Sequence, residues 1–252
     1  MQQPEAPFVL WIGIRDNLAL VKPDLELGWV TGLPVYAALS RKPLDLHPHV
    51  TFLVGENGSG KSTLIEAFAV ANGFGPAGGS TRARLWGESH SMLHEALLLE
   101  RAQPKPLNGF FLRAESFHDY ATAANADSGP MAMDNVYERA LHDQSHGESF
   151  LALALERFGP RGLYILDEPE AALSLTGQLA LMRRIHELVA AHSQFVIATH
   201  SPILLGYPDA AIYELNPDGI EPRAYEETQQ YNLTRDFLED RERFLHHLLA
   251  DD

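Results

Sequence analysis

Short apolar runs alternate with stretches of helical spacing along most of the chain, the pattern expected of strands and helices connected in turn. The clearest unit follows His49. Residues 50–54 form an apolar run with three β-branched side chains, glycines follow, and Leu64, Ile65, Phe68 and Ala69 recur at helical spacing until Asn72-Gly73. Strand, loop and helix are predicted there. A second strand, 163–166, is apolar throughout, as a strand covered on both faces must be, and the turn residues Gly159-Pro160-Arg161-Gly162 precede it. Leu175, Leu179, Met182, Ile185 and Val189 then mark an amphipathic helix, and 195–198 a third buried strand. This is the wiring of parallel βαβ units. Residues 211–215 and 220–225 flank Asn216-Pro217-Asp218-Gly219 and predict a hairpin. An apolar stripe of Phe237, Leu238, Phe244, Leu245, Leu248 and Leu249 predicts one closing helix from about Thr234.

The flanking regions are less regular. Strand-like runs at 8–14 and 28–36, with prolines between, predict a small β layer within residues 1–48. Residues 73–158, with helical patterns at 92–101 and 134–142, read as a mostly helical subdomain inserted into a core made of 49–72 and 159–252. The expected fold class is therefore α/β, a single domain over 1–252 with a mostly parallel sheet core.

Composition narrows the chemistry. With 45% apolar residues in 252, the chain can bury a sizeable core without covalent staples. It has no cysteine, which excludes disulfides, thiolate metal sites and cysteine nucleophiles and fits a cytoplasmic setting. No leader is expected, because no basic segment precedes the first apolar run, and no stretch approaches membrane-spanning length. The 34 acidic and 19 basic residues leave a net charge of -15, which repels a nucleic-acid backbone over most of the surface. Direct nucleic-acid binding is thus not the expectation, although Arg82 and Arg84, and Arg183 and Arg184, lie close in sequence.

The predicted strand–loop–helix unit carries the first chemical motif. Gly55-Glu56-Asn57-Gly58-Ser59-Gly60-Lys61-Ser62 satisfies G-x-x-x-x-G-K-S/T in the structural context that motif needs. Glycines let consecutive N–H groups of Asn57, Gly58, Ser59, Gly60 and their neighbours through Thr63 face phosphate oxygens, and the helix N-terminus adds its dipole. Lys61 is expected to bridge the β- and γ-phosphates of a nucleotide, and the Ser62 hydroxyl to hold Mg²⁺. The strand 163–166 ends in Asp167-Glu168-Pro169. A strand-end acidic pair alone is often a solvated turn. Beside a phosphate loop, Asp167 is placed for the Mg²⁺ shell and Glu168 to orient the attacking water. His200, at the end of a further strand, is expected to contact the γ-phosphate.

The fourth element is Ser145-His146-Gly147-Glu148-Ser149 before the apolar run 150–158. By itself it is a helix cap with an acidic first turn. Its order relative to the other motifs, together with Ala171-Ala172-Leu173-Ser174, resembles the ABC-type ATPases, with phosphate loop, signature, Walker-B strand, D-loop and switch histidine spread over more than half the chain. The resemblance implies ATP and Mg²⁺ as ligands and a homodimer formed on ATP binding. In that dimer Ser145, Gly147 and Glu148 close over the ATP of the opposite copy. It further implies that Glu168 is the catalytic carboxylate and that Ser174 sits in the loop crossing the dimer face.

The signature and the D-loop, which ends in Ser174 where aspartate is usual, depart from the transporter pattern, and no Q-loop glutamine is evident. Glu115, after the strand-like residues 110–114, is the candidate substitute and a further candidate metal ligand. The tail from Thr228 to Leu238 also looks more like the small stand-alone bacterial ATPases related to repair and chromosome-maintenance heads. Too few residues separate Ser62 from Ser145 for a long coiled coil.

ATP hydrolysis in a nucleotide-sandwich dimer acting as a switch is thus the leading expectation. Two others stand beside it: the ATP-binding subunit of a membrane transporter, which needs a membrane partner, and a non-hydrolysing nucleotide sensor or scaffold for a DNA-repair or defence effector. Trp29 and Tyr36 are both candidates to stack on adenine. The Gly-x-Gly-x-x-Gly at 73–78 follows a helix and not a strand, and reads as a loop. His47, His49, His246 and His247 lack convergent carboxylates and read as surface histidines.

Overall fold

The apolar runs become the centre of a seven-stranded sheet ordered β10-β9-β3-β8-β7-β6-β4. The computed structural model describes residues 7–16, 18, 22, 25, 27–81, 84, 91–114, 151–152, 154 and 156–250. In it β3 (Val50–Gly55), β6 (Asn108–Arg113), β7 (Gly162–Asp167), β8 (Gln194–Ala198) and β9 (Ala211–Asn216) run parallel. Two antiparallel strands, β4 (Gly79–Ser80) and β10 (Gly219–Arg223), close the edges. Strand β9 and β10 form the expected hairpin.

Period-two alternation divides the core between the two sheet faces. Leu163, Ile165, Leu53 and Val196 pack toward α2 (Lys61–Ala71), the helix of the phosphate loop, which contributes Leu64, Ile65 and Phe68. Tyr164, Leu166, Phe52 and Ile197 pack on the other side with Leu181, Ile185 and Leu188 of α4 (Leu175–Ala190). Tyr164 stacks on Phe158 at 4.3 Å, and its hydroxyl donates to the Gly159 carbonyl at 2.6 Å; burial pushes that phenol up to about 12.

A three-stranded antiparallel sheet, β2-β1-β5, covers the α2 side, with β1 (Val9–Ile14) central, β2 (Leu44–Asp45) and β5 (Leu97–Arg101). Gln194, 1% exposed, fastens it: its side chain accepts from the Val9 N–H at 3.0 Å and donates to the carbonyls of Val9 at 2.9 Å and His47 at 3.1 Å. Gln194→Leu strands these buried backbone groups, and we expect a loss of roughly 2–4 kcal/mol in unfolding free energy. A lower urea midpoint at unchanged slope is the signature to measure.

Three sequence expectations are corrected. Residues 28–36 are not a strand: Gly28–Gly32 is a 3-10 helix and Pro34–Arg41 is α1. Pro34 sits in the first turn, where its missing N–H costs nothing, and Val35, Ala38 and Leu39 face inward at helical spacing. Residues 92–101 are helical only over α3 (Leu93–Ala96), after which β5 finds its backbone partners on β1, Ile14 opposite Leu97 and Ile12 opposite Leu99. The closing stripe spans two helices. α5 (Gln229–Glu239) is capped by Thr228 and α6 (Arg241–Leu248) by Asp240, with Phe237 against Phe244 at 5.6 Å across the break. The predicted helix at 134–142 lies outside the described residues.

Candidate functional site

The phosphate loop leaves the C-terminal end of β3 and enters α2 in the conformation its glycines allow. Gly55 has φ 154°, and a Cβ there would lie 2.5 Å from the Leu215 carbonyl oxygen. Gly60, at φ 90°, turns the chain into the helix, and a Cβ on it would crowd Val35 at 3.0 Å. Only glycine meets both demands. Asn57, Gly58, Gly60, Lys61, Ser62 and Thr63 line a cavity of about 300 Å³ together with Trp29, Leu33, Glu56 and Glu168. Ser59 lies beneath, its buried hydroxyl without a hydrogen-bond partner among the described residues. A cavity lined by a glycine-rich loop at a helix start, with one buried lysine, is chemically fitted to a polyphosphate.

Three side chains from three elements meet at the cavity. Lys61 is 4% exposed, and its Nζ lies 3.3 Å from Glu168 Oε1 and in contact with His200 Nε2. His200 Nε2 is 3.6 Å from the same Glu168 oxygen. Parallel pairing of β3 with β8 and β8 with β7 puts all three strand ends on one edge, so the convergence follows from topology. Glu168 takes a left-handed backbone, φ 50°, as the chain turns sharply from β7 into the 3-10 helix Pro169–Ala172. Such a conformation costs about 1–3 kcal/mol in a non-glycine residue and recurs at functional sites. Glu170, in the same turn, accepts the His200 backbone N–H at 2.5 Å and so ties β7's exit to β8's. Burial, then the Lys61 ammonium, holds the His200 imidazole below its usual value, against the opposing pull of Glu168 and Glu170.

Asp167 ends β7 opposite Arg113, which ends β6. Arg113 Nε is 3.4 Å from Asp167 Oδ2, while Nη1 donates to Glu66 Oε2 on α2 at 2.9 Å and to the Pro76 carbonyl at 3.3 Å. All three charged residues are buried. The donor set near the loop, the Ser62 hydroxyl and the Asp167 carboxylate, is all oxygen. That suits Mg²⁺, which takes one or two carboxylates together with substrate phosphates.

Ser174 is exposed and caps α4, its Oγ accepting from the Gly177 N–H at 3.1 Å. Leu175 and Leu179 beside it are 67% and 55% exposed, an apolar strip on the helix leaving the predicted D-loop. Of the two aromatic candidates, Trp29 lines the cavity at 59% exposure, whereas Tyr36 packs against the core. The expected signature, Ser145, Gly147 and Glu148, and the candidate Glu115 lie outside the described residues.

The family described as an AAA domain matches residues 36–103, a span that takes in the phosphate loop and α2. The chain's sheet, phosphate loop and strand-end carboxylates are those of a P-loop fold, and among the described residues no helix is long and apolar enough to cross a membrane. The SMC head domain from Thermotoga maritima aligns at 18% identity and a TM-score of 0.41, over 72% of this chain and 93% of that one. A nucleotide-free ATP-binding cassette from an ABC transporter aligns at 17% and 0.42, over 80% and 90%. No curated protein matches the chain significantly.

Sequence reasoning missed Arg113, Glu66 and Glu170. Each carried a signal: a cation ending an apolar strand, an acid inside the apolar stretch of the phosphate-loop helix, and a second glutamate two residues past the first. None could be assigned a partner, because Glu66 and Arg113 are 47 residues apart and Glu170 and His200 are 30 apart.

Proposed function

We propose that the chain binds Mg-ATP at the phosphate loop and hydrolyses it to ADP and phosphate, two copies closing over shared nucleotides and parting after hydrolysis. The observation that carries this is the meeting of Lys61, at the start of α2, with Glu168 and His200, which follow the ends of β7 and β8, beside the loop cavity. Lys61 holds the β- and γ-phosphate oxygens, and Ser62 and Asp167 would hold Mg²⁺, which would supply charge neutralisation on the phosphates. Glu168 takes a proton from water as its oxygen attacks the γ-phosphorus, and the bond to the ADP oxygen breaks. His200 donates to the γ-phosphate. Ser174 and the exposed Leu175 and Leu179 belong to the face between copies, with Ser145, Gly147 and Glu148 reaching the partner's nucleotide.

Trp29 serves as the platform for the base. Stacking on an aromatic is worth about 1–3 kcal/mol, so Trp29→Ala is expected to weaken ATP binding roughly 5–150-fold and leave tripolyphosphate binding unchanged. The whole reading is tested by phosphate release and sedimentation of the purified protein with Mg-ATP. Release of phosphate together with an ATP-dependent dimer supports it; binding without release supports a nucleotide sensor instead, and no binding removes both.

A further inference from the structure

The buried charges behind the phosphate loop carry a role that the P-loop reading leaves open. Arg113 ends β6, 7% exposed, with its guanidinium 5.9 Å from the Phe111 ring centre. It reaches two carboxylates on two other elements. Glu66, 2% exposed, lies on the helix that begins with Lys61 and Ser62, and Asp167, 6% exposed, is the strand-end acid. One rigid fork therefore joins the helix that carries Ser62 to the strand that carries Asp167. Arginine suits this, being always charged and able to donate in two directions at once, where lysine offers a single point charge.

The distances divide the cation unequally. Nη1 is 2.9 Å from Glu66 Oε2, while Nε is 3.4 Å from Asp167 Oδ2. The closer acid draws more of the positive charge, so the guanidinium only partly offsets the Asp167 carboxylate. The ion pair thus restrains Asp167 while leaving it negative charge for a divalent cation. A buried ion pair kept for stability alone is weak evidence of function, since well-packed apolar groups often do as well. The shared geometry, one guanidinium between the phosphate-loop helix and the metal carboxylate, is what points further.

We propose that Arg113, held by Glu66, is a positioning residue that aims the Asp167 carboxylate at Mg²⁺. The proposal rests on the Mg-ATP reading above. It predicts a sign opposite to that of simple electrostatics: removing a cation beside a Mg²⁺ site should strengthen metal binding by charge alone, whereas loss of positioning weakens it. Groups that orient metal ligands typically contribute 10–100-fold in metal affinity. Arg113→Gln is therefore expected to raise the Mg²⁺ concentration for half-maximal tightening of a fluorescent ATP analogue roughly 10–100-fold. Binding of the same analogue in EDTA should stay within about twofold of wild type, because Lys61 and the loop N–H groups are untouched. Arg113→Lys, which keeps the charge and loses the fork, should fall between. It also decides the matter if the glutamine variant does not fold by circular dichroism.

An unchanged or lowered Mg²⁺ requirement overturns the proposal, as does a parallel loss of binding in EDTA, which marks a role in holding the loop itself. Failure of the wild-type protein to bind the analogue at all removes the Mg-ATP reading instead.

Discussion

Glu168→Gln is expected to retain ATP binding while turnover falls about 10²–10⁴-fold, the usual loss for a positioned general base. The substitution keeps side-chain size and the left-handed turn but removes the carboxylate from its place 3.3 Å from Lys61 and 3.6 Å from His200. Loss of that charge also frees Lys61 from an internal competitor for phosphate, so affinity for ATP should hold or rise. With binding intact and chemistry stopped, the dimer should persist on a sizing column in ATP, where wild type returns to monomer as nucleotide is consumed. The measurements are steady-state phosphate release and elution volume. Hydrolysis at the wild-type rate would show that another group takes the proton, and would leave Glu168 only as a partner of Lys61.

Much of this site was readable before any coordinates because its parts are local. The phosphate loop is one contiguous run between a strand and a helix, Asp167 ends an apolar strand with Glu168 directly after it, and His200 closely follows another. What those strand ends share is not local, yet parallel wiring constrains it: once β3, β8 and β7 are neighbours, their C-terminal ends must lie on one edge. The Glu66–Arg113–Asp167 bridge had no such constraint, since nothing in the sequence paired β6 with β7. The fold shows the same division. Residues 28–36 carried apolar side chains compatible with a strand, and Pro34 at a first helical turn decided otherwise. Residues 97–101 held a leucine run that suited a helix until β1 offered a ladder of backbone partners. Asp240 was one more polar residue in a helical stripe until its side chain capped a new helix through the Arg243 N–H at 3.0 Å.

Charge bears on the partner question. A net charge of -15 leaves nucleic acid an unfavourable ligand for the isolated chain. Arg183 and Arg184, which drew notice in the sequence, both reach Glu187 on their own helix, at 3.3 and 3.2 Å, and Arg184 also donates to the Phe158 carbonyl. Their charge is largely answered within the chain. The exposed apolar strip beside Ser174 is thus a stronger pointer to a protein surface, the one that the proposed second copy would cover.

His200→Ala is expected to lower turnover about 10²–10³-fold, the range for removing one donor to a transition-state oxygen. The argument begins with the proton. Lys61 Nζ has donors only, so the His200 Nε2 that meets it presents a lone pair, and the ring is neutral. Its depressed pKa agrees, with burial the larger cause and the Lys61 charge the next. A phosphate oxygen, by contrast, has only lone pairs, so contact with the γ-phosphate requires a proton on Nε2. Phosphate beside the ring also offsets the Lys61 charge and favours the imidazolium. ATP binding near pH 7 should therefore take up part of a proton in wild type. His200→Gln, which keeps an N–H donor but cannot titrate, should take up less and should retain more activity than the alanine variant. Calorimetry in buffers of differing ionisation heat reads the uptake directly, and equal uptake by both proteins removes the imidazolium and leaves the neutral Nε2–H tautomer as the donor. Stability carries the matching sign. A histidine held below its ordinary value of 6.5 contributes fully above that pH, and the contribution is lost as pH falls through 6.5 toward the folded value, because the unfolded chain takes the proton first. Urea midpoints at pH 5.5 and 7.5 should accordingly differ more for wild type than for His200→Gln.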